Sequence, residues 1–183
     1  GDLSVSGWFI MALVSAEMSG LNVNKETMER AIKFLDRVSG GKDGGSYGYT
    51  DSPGKRNSGK NALNAVGFFC SQILGRSPNT KKAFESANLI DAAGFQLNDI
   101  YYVYYGTLAA YQHQGPVWEK WLDQMQNKFV SSQLNDGSWP VGAGHGNQMG
   151  KYIATALVTL CLEAHYRYTP IYGLGFEPEP EPN

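Results

Sequence analysis

Hydrophobic residues along this chain follow two kinds of helical pattern. Four segments are apolar around most of their circumference, which is typical of helices that are buried on most sides. They are residues 6–20, 59–75, 98–115 and 151–168. Three other segments place apolar residues on one side at helical spacing and charged residues on the other. They are residues 24–39, 80–94 and 116–132. The two kinds alternate, and the series begins and ends with an apolar segment.

This alternation predicts an all-α fold of about seven helices, in which inner and outer helices alternate along the chain. The apolar segments would form the inner layer, and the amphipathic ones would shield it from water. Asn24 is placed to cap the first outer helix, and Pro116 fits the first turn of the last one. No segment alternates with a period of two, so we expect little or no sheet.

Glycine-rich breaks separate each of two outer helices from the inner helix that follows. Residues 39–60 and 135–150 are predicted as loops on this basis. We expect residues 1–172 to form one domain and residues 173–183 to form an extended Pro- and Glu-rich tail. Because the chain begins at Gly1 rather than Met, we also expect it to be a C-terminal fragment of a longer protein.

Composition narrows the classes of partner. The formal net charge of −2 gives no electrostatic reason to bind nucleic acid. No apolar run reaches the roughly 18 residues that a membrane-spanning helix needs. Cys70 and Cys161 lie in apolar helical segments and are predicted to be core residues. Nothing in the sequence assigns a cellular location.

The segment "QLNDGSW" (133–139) carries a glutamine, a glycine and a tryptophan at fixed spacing, and "KDGGSYGY" (42–49) is a degenerate copy with Tyr47 in place of the tryptophan. This spacing resembles the QW repeat of squalene and oxidosqualene cyclases. The inner segments are similar to planctomycete-type proteins with prenyltransferase and squalene-cyclase repeats, over roughly residues 1–172. The resemblance implies a terpenoid-cyclase-like α/α toroid. We interpret Gln133 and Trp139 as a structural hinge, in which the glutamine bonds the start of the next helix.

The chemistry of those families is not recognisable in this chain. The aspartate cluster D-x-D-D of the cyclases does not occur. Of the prenyltransferase zinc ligands, the Asp-x-Cys pair is missing and Asn61 falls where the histidine would be, so we expect no metal and no cofactor. An alternative is a cyclase or prenyltransferase whose catalytic residues lie in a missing N-terminal half. Another is a glycosidase using two of Asp51, Asp99 and Asp136.

A binding site is predicted where the inner helices begin. If these helices are parallel, their N-termini and their partial positive charges gather at one end of the array. The ligand-binding candidates are Tyr101, Tyr105, Lys55, Arg56, His145 and Trp139. Tyr101 and Tyr105 share a helix face and would suit an apolar, isoprenoid-like ligand. His145 and Asp51 are weak catalytic candidates.

The array is too short to close a ring of the implied kind. Its first and last inner helices would each expose an apolar flank. We therefore expect self-association, a partner protein or a missing half-ring to cover them. The leading hypothesis is a non-catalytic or catalytically incomplete repeat domain that binds an apolar ligand or a partner protein; the remaining alternative is a structural or assembly module.

Overall fold

The structure is a computed structural model that describes residues 1–51, 61–140 and 145–167, except for the side chains of 145–149 and 167. These ranges contain seven helices, which confirms the all-α fold. They are α1 (Leu3–Met18), α2 (Lys25–Val38), α3 (Asn61–Ile73), α4 (Lys81–Ala93), α5 (Ile100–His113), α6 (Gly115–Ser132) and α7 (His145–Arg167). A two-residue strand pair, β1 (Ser39–Gly40) and β2 (Ser46–Tyr47), is antiparallel with Ser39 opposite Tyr47. The predicted domain boundary at residue 172 lies outside the described residues.

The helices form the two layers that the alternation predicts. In the inner layer, α1 packs on α3, α3 packs on α5, and α5 packs on α7. In the outer layer, α2 contacts α1 and α3, α4 contacts α3 and α5, and α6 contacts α5. The inner helices therefore stand in a row, and each outer helix lies against two or fewer of them.

The extent to which each helix is buried follows from its place in these two layers. The middle inner helices are buried on all sides, over the unbroken stretches 63–72 in α3 and 102–112 in α5. The outer helix α2 buries only Leu35 and Val38 and turns its charged residues to water. A helix in the middle of the row has a neighbour on every side, and this explains why its sequence is apolar all round.

Short polar side chains fix where the helices begin. The side chain of Asn24 accepts a hydrogen bond from Thr27 N at 3.1 Å, as predicted for an N-cap. Thr80 and Asp99 cap α4 and α5 in the same way, with distances of 3.1 Å to Ala83 N and to Tyr102 N. Asp99 is therefore a capping residue of the inner row.

The second glycine-rich break differs from its prediction. The sequence predicts a loop through residue 150, but residues 145–149 are helical and belong to the first part of α7. Gly150, with φ 75° and ψ 164°, interrupts this helix, and the long inner segment continues from residue 151. Positive φ at this point strains any residue except glycine, so the interruption is encoded by Gly150 itself.

The two ends of the inner row are covered on one side only. Helix α1 buries a single stripe formed by Leu3, Gly7, Ile10 and Val14. Helix α7 likewise buries a stripe that runs from Ala154 to Ala164. The remaining sides of both helices expose large apolar side chains, among them Phe9 on α1 and Ile153 on α7.

Candidate binding surface

Four aromatic rings meet where α1 approaches α5. The indole of Trp8 stacks on Tyr104, with ring centroids 5.5 Å apart and an interplanar angle of 14°. It also meets Tyr105 edge-on at 5.3 Å and lies 6.5 Å from Tyr101. Trp8 is 41% exposed, whereas Tyr104 and Tyr105 are buried, so the cluster presents one aromatic edge to solvent. We call these four residues the aromatic cluster.

The predicted tyrosine pair lies within this cluster. Tyr101 and Tyr105 are on one helix face, as predicted, and their rings are 5.1 Å apart. Tyr105 is fully buried, while Tyr101 is half-buried and donates a hydrogen bond to Ser4 O at 2.7 Å. Burial raises the pKa of both phenols, so both stay neutral. A ligand would therefore meet the edges of Trp8 and Tyr101, and Tyr105 would support them from below.

An apolar surface on α1 lies beside the cluster. At 100° per residue, Val5, Phe9 and Ala12 lie opposite the buried stripe of this helix. Val5 is 52% exposed, Phe9 is 66% exposed, and Ala12 is also exposed. We call these three residues the α1 face. Residues 3–16 include no ionisable side chain, which is unusual for a solvent-facing helix.

A similar surface occurs at the other end of the row. Tyr152, Ile153, Ala156 and Leu160 are exposed on one side of α7, and we call them the α7 face. The ionisable side chains from residue 152 to residue 162 are the phenol of Tyr152 and the buried thiol of Cys161, and both are neutral at pH 7. Contiguous exposed apolar surface of this kind marks interaction sites on soluble proteins.

The aspartates that could serve acid–base chemistry are held in the ionised form. The Arg37 guanidinium, whose Nε donates to Asp51 Oδ2 at 2.7 Å, lowers the pKa of that carboxyl. Lys151 and Ser138, which donate hydrogen bonds to Asp136, lower its pKa as well. A general acid at neutral pH needs a raised pKa. These contacts therefore oppose such a role for Asp51 and Asp136.

Trp139 is a packing residue in the connection between α6 and α7. It is buried, and its indole Nε1 donates to Phe129 O at 2.8 Å. Its backbone N–H donates to Thr155 Oγ1 at 3.3 Å, which ties the turn to α7. Gln133 donates to Gly137 O at 2.9 Å, so it stabilises the turn itself.

Three of the predicted ligand-binding residues fall wholly or partly outside what the structure describes. Lys55 and Arg56 lie outside the described residues, and so does the side chain of His145, whose backbone begins α7. Both cysteines are buried and free of disulfides, and burial raises the pKa of each thiol to about 12. Both are core residues, as predicted.

A shallow cleft of about 360 Å³ lies elsewhere, on the outer layer. Its lining residues come from the loop after β1 and from α4: Lys42, Asp43, Lys81, Phe84, Glu85, Asn88 and Leu89. The Glu85 carboxylate accepts hydrogen bonds from three backbone N–H groups of that loop, those of Lys42, Asp43 and Gly45, at 2.7–2.8 Å. Two lysines and two carboxylates balance in formal charge, so the cleft favours no charged ligand.

Sequence reasoning missed Trp8 and the Glu85 contact. Trp8 lies in a segment that is apolar all round, and it is exposed only because α1 is the first helix of the row. One indication of this exposure was present in the sequence, because Trp8 lies in the first of the four inner segments. Glu85 and the loop it binds are about 40 residues apart, and no local pattern connects them.

Comparison with known proteins assigns no family. No protein-family model, curated protein or solved structure matches this chain. Within the described part of the chain, no three His, Cys, Asp or Glu side chains are grouped so that they could hold a metal ion. None of the described helices has both the length and the hydropathy to cross a membrane.

Proposed function

We propose that this chain is a binding module without catalytic activity, built as a terpenoid-cyclase-like array of helical hairpins. The α1 face and the α7 face are its protein-binding surfaces. The observation that carries this proposal is the exposure of charge-free helix surface at both ends of a row whose middle helices are completely buried. The alternation of layers supports the relation to α/α-toroid repeats.

Association through an apolar face can be tested by placing one charge on it. Ala12 lies at the C-terminal end of the α1 face, and Ala12→Lys leaves helix propensity nearly unchanged. Ala92 on α4 is an equally exposed alanine of the outer layer and provides the matched control. We expect sedimentation velocity to show concentration-dependent association of the wild-type chain and of Ala92→Lys, and its loss in Ala12→Lys.

Circular dichroism should show the same helix content in all three proteins. A wild-type chain that stays monomeric up to high micromolar concentration would contradict the proposal. So would an Ala12→Lys variant that associates as strongly as the control.

A second candidate function is the binding of an apolar, isoprenoid-like small molecule at the aromatic cluster. The stacking of the exposed Trp8 on Tyr104, next to the half-buried Tyr101, favours it. Trp8 is much more exposed than the other three tryptophans, which are at most 8% exposed, so its emission should dominate any ligand-induced change. We expect farnesol to shift the tryptophan emission of the wild-type chain to shorter wavelength, and Trp8→Phe to abolish the shift. An unchanged shift in Trp8→Phe would place the ligand elsewhere.

A further inference from the structure

We propose that the partner which covers the α1 face is a second copy of this chain, and that it does so with its α7 face. The α7 face of the first copy is covered by the α1 face of the second in the same way. This inference rests on the proposed function, because it specifies the partner of the surfaces that the proposed function assigns.

The first argument is continuity with the packing inside the chain. Every inner helix docks on the next one along the row, from α1 through α3 and α5 to α7. Within the described residues, no inner helix precedes α1 in this row and none follows α7. An α1 helix placed beside α7 therefore repeats a contact that the chain already makes three times between inner helices.

The second argument is direction. The first turns of α1 and α5 lie side by side, because Tyr101 Oη bonds Ser4 O. At the other end, Trp118 bridges α5 and α7, with its ring 5.0 Å from Tyr111 and 6.3 Å from His165. Helices α1, α5 and α7 are therefore parallel, and an α1 helix from a second copy continues the row without a change of direction.

The third argument is completeness. A contact between two α1 faces would leave both α7 faces exposed to water. The contact between an α1 face and an α7 face covers both, and in the dimer that this inference specifies a twofold axis makes it twice. Neither face carries a charge that the contact would have to bury unpaired.

The experiment uses the full chain, with one lysine on each face. Ala156 is exposed in the middle of the α7 face, so Ala156→Lys is the counterpart of Ala12→Lys. Each variant alone should lose self-association, because every contact in its homodimer has one altered face. A mixture of the two variants retains one unaltered pair, the α7 face of the Ala12→Lys chain against the α1 face of the Ala156→Lys chain. We expect this mixture to form a heterodimer, which native mass spectrometry detects by labelling one variant with ¹⁵N.

The outcomes separate this inference from the proposed function. If Ala12→Lys abolishes association and Ala156→Lys does not, the α1 face is a binding surface but its partner is not the α7 face, and the inference is wrong. If both variants lose association and their mixture stays monomeric in 1 M sodium chloride, which screens the two lysines that face each other in its second contact, the inference is also wrong, because the unaltered pair of faces does not bind. If neither variant changes association, both the inference and the proposed function are wrong. Association that persists in 1 M sodium chloride would agree with a charge-free contact, whereas association abolished by salt would contradict it.

Discussion

Gly67 is the position where one added methyl group should have the clearest effect on stability. It lies in the middle of α3, and the ring of Tyr47 covers it. A Cβ atom at Gly67 would lie 2.1 Å from Tyr47 Cγ and within 2.5 Å of both Cδ atoms. Carbon atoms in contact are normally about 3.5–4.0 Å apart. Gly67→Ala therefore requires the ring or the helix to move by more than 1 Å.

The size of the effect follows from two opposing contributions. Overpacking of a core costs about 1–3 kcal/mol, and the upper end applies because Tyr47 is only 1% exposed and its backbone N–H is bonded to Asn64. Alanine stabilises a helix by about 1 kcal/mol relative to glycine. We expect a net loss of about 2 kcal/mol in the free energy of unfolding, which corresponds to a Tm lower by roughly 4–8 °C for a chain of this length.

A double-mutant cycle tests the cause of this loss. In a Tyr47→Ala background the ring is gone, so Gly67→Ala should be neutral or should stabilise by up to about 1 kcal/mol. Guanidinium unfolding followed by circular dichroism measures all four proteins. Hydrogen exchange at the Tyr47 amide provides a second readout, because displacement of the ring should weaken its bond to Asn64. An equal loss from Gly67→Ala in both backgrounds would refute the reasoning, since the cost would then be independent of Tyr47.

Two further predictions concern polar contacts between distant parts of the chain. Glu85→Gln should lower stability by about 1–2 kcal/mol at pH 7, because a carboxylate that accepts three backbone N–H bonds is replaced by a neutral amide. Partial burial acts to raise the pKa of Glu85, but the three N–H bonds hold it below 4.5. The difference in stability between Glu85→Gln and the wild type should therefore be full above pH 4.5 and should shrink as the pH falls below that value. A difference that grows in acid would contradict this. Thr107→Val should cost about 1–3 kcal/mol in thermal or denaturant unfolding, because Trp121 Nε1 loses the buried acceptor that lies 2.9 Å away. Thr107→Ser keeps the hydroxyl group and should retain most of that stability, and equal losses in the two variants would exclude the hydrogen bond as the cause.

The layers of this fold could be predicted because they depend on periodicity alone. An outer helix such as α2 needs apolar residues on one side only, whereas α3 needs them on every side, and the two patterns differ within a few turns. The cap at Asn24 and the start of α6 near Pro116 were predictable for a similar reason, since both depend on local backbone chemistry. These features require no knowledge of what lies across the chain.

The candidate site was less predictable because it depends on contacts between distant segments. The sequence places Tyr101 and Tyr105 on one face, but it does not show that Trp8 covers this face. It likewise identifies Asp51 as a polar loop residue without showing that Arg37 binds it. A side chain that is available for chemistry in the sequence can therefore be committed to a structural contact in the fold.

The connections from outer to inner helices show what the glycine–aromatic spacing of the sequence contributes to the fold. In each of the three connections, a glycine with positive φ precedes a buried aromatic residue by one to three positions. The pairs are Gly44 with Tyr47, Gly94 with Phe95, and Gly137 with Trp139. Only the last pair has the full Gln-x-x-x-Gly-x-Trp spacing, yet all three aromatic residues are buried at the junction.

The chain reversal requires the glycine, and the large ring buries the junction between the layers. The identity of the aromatic residue can therefore vary while the architecture is kept, and the motif describes how the row is built and not what the row binds.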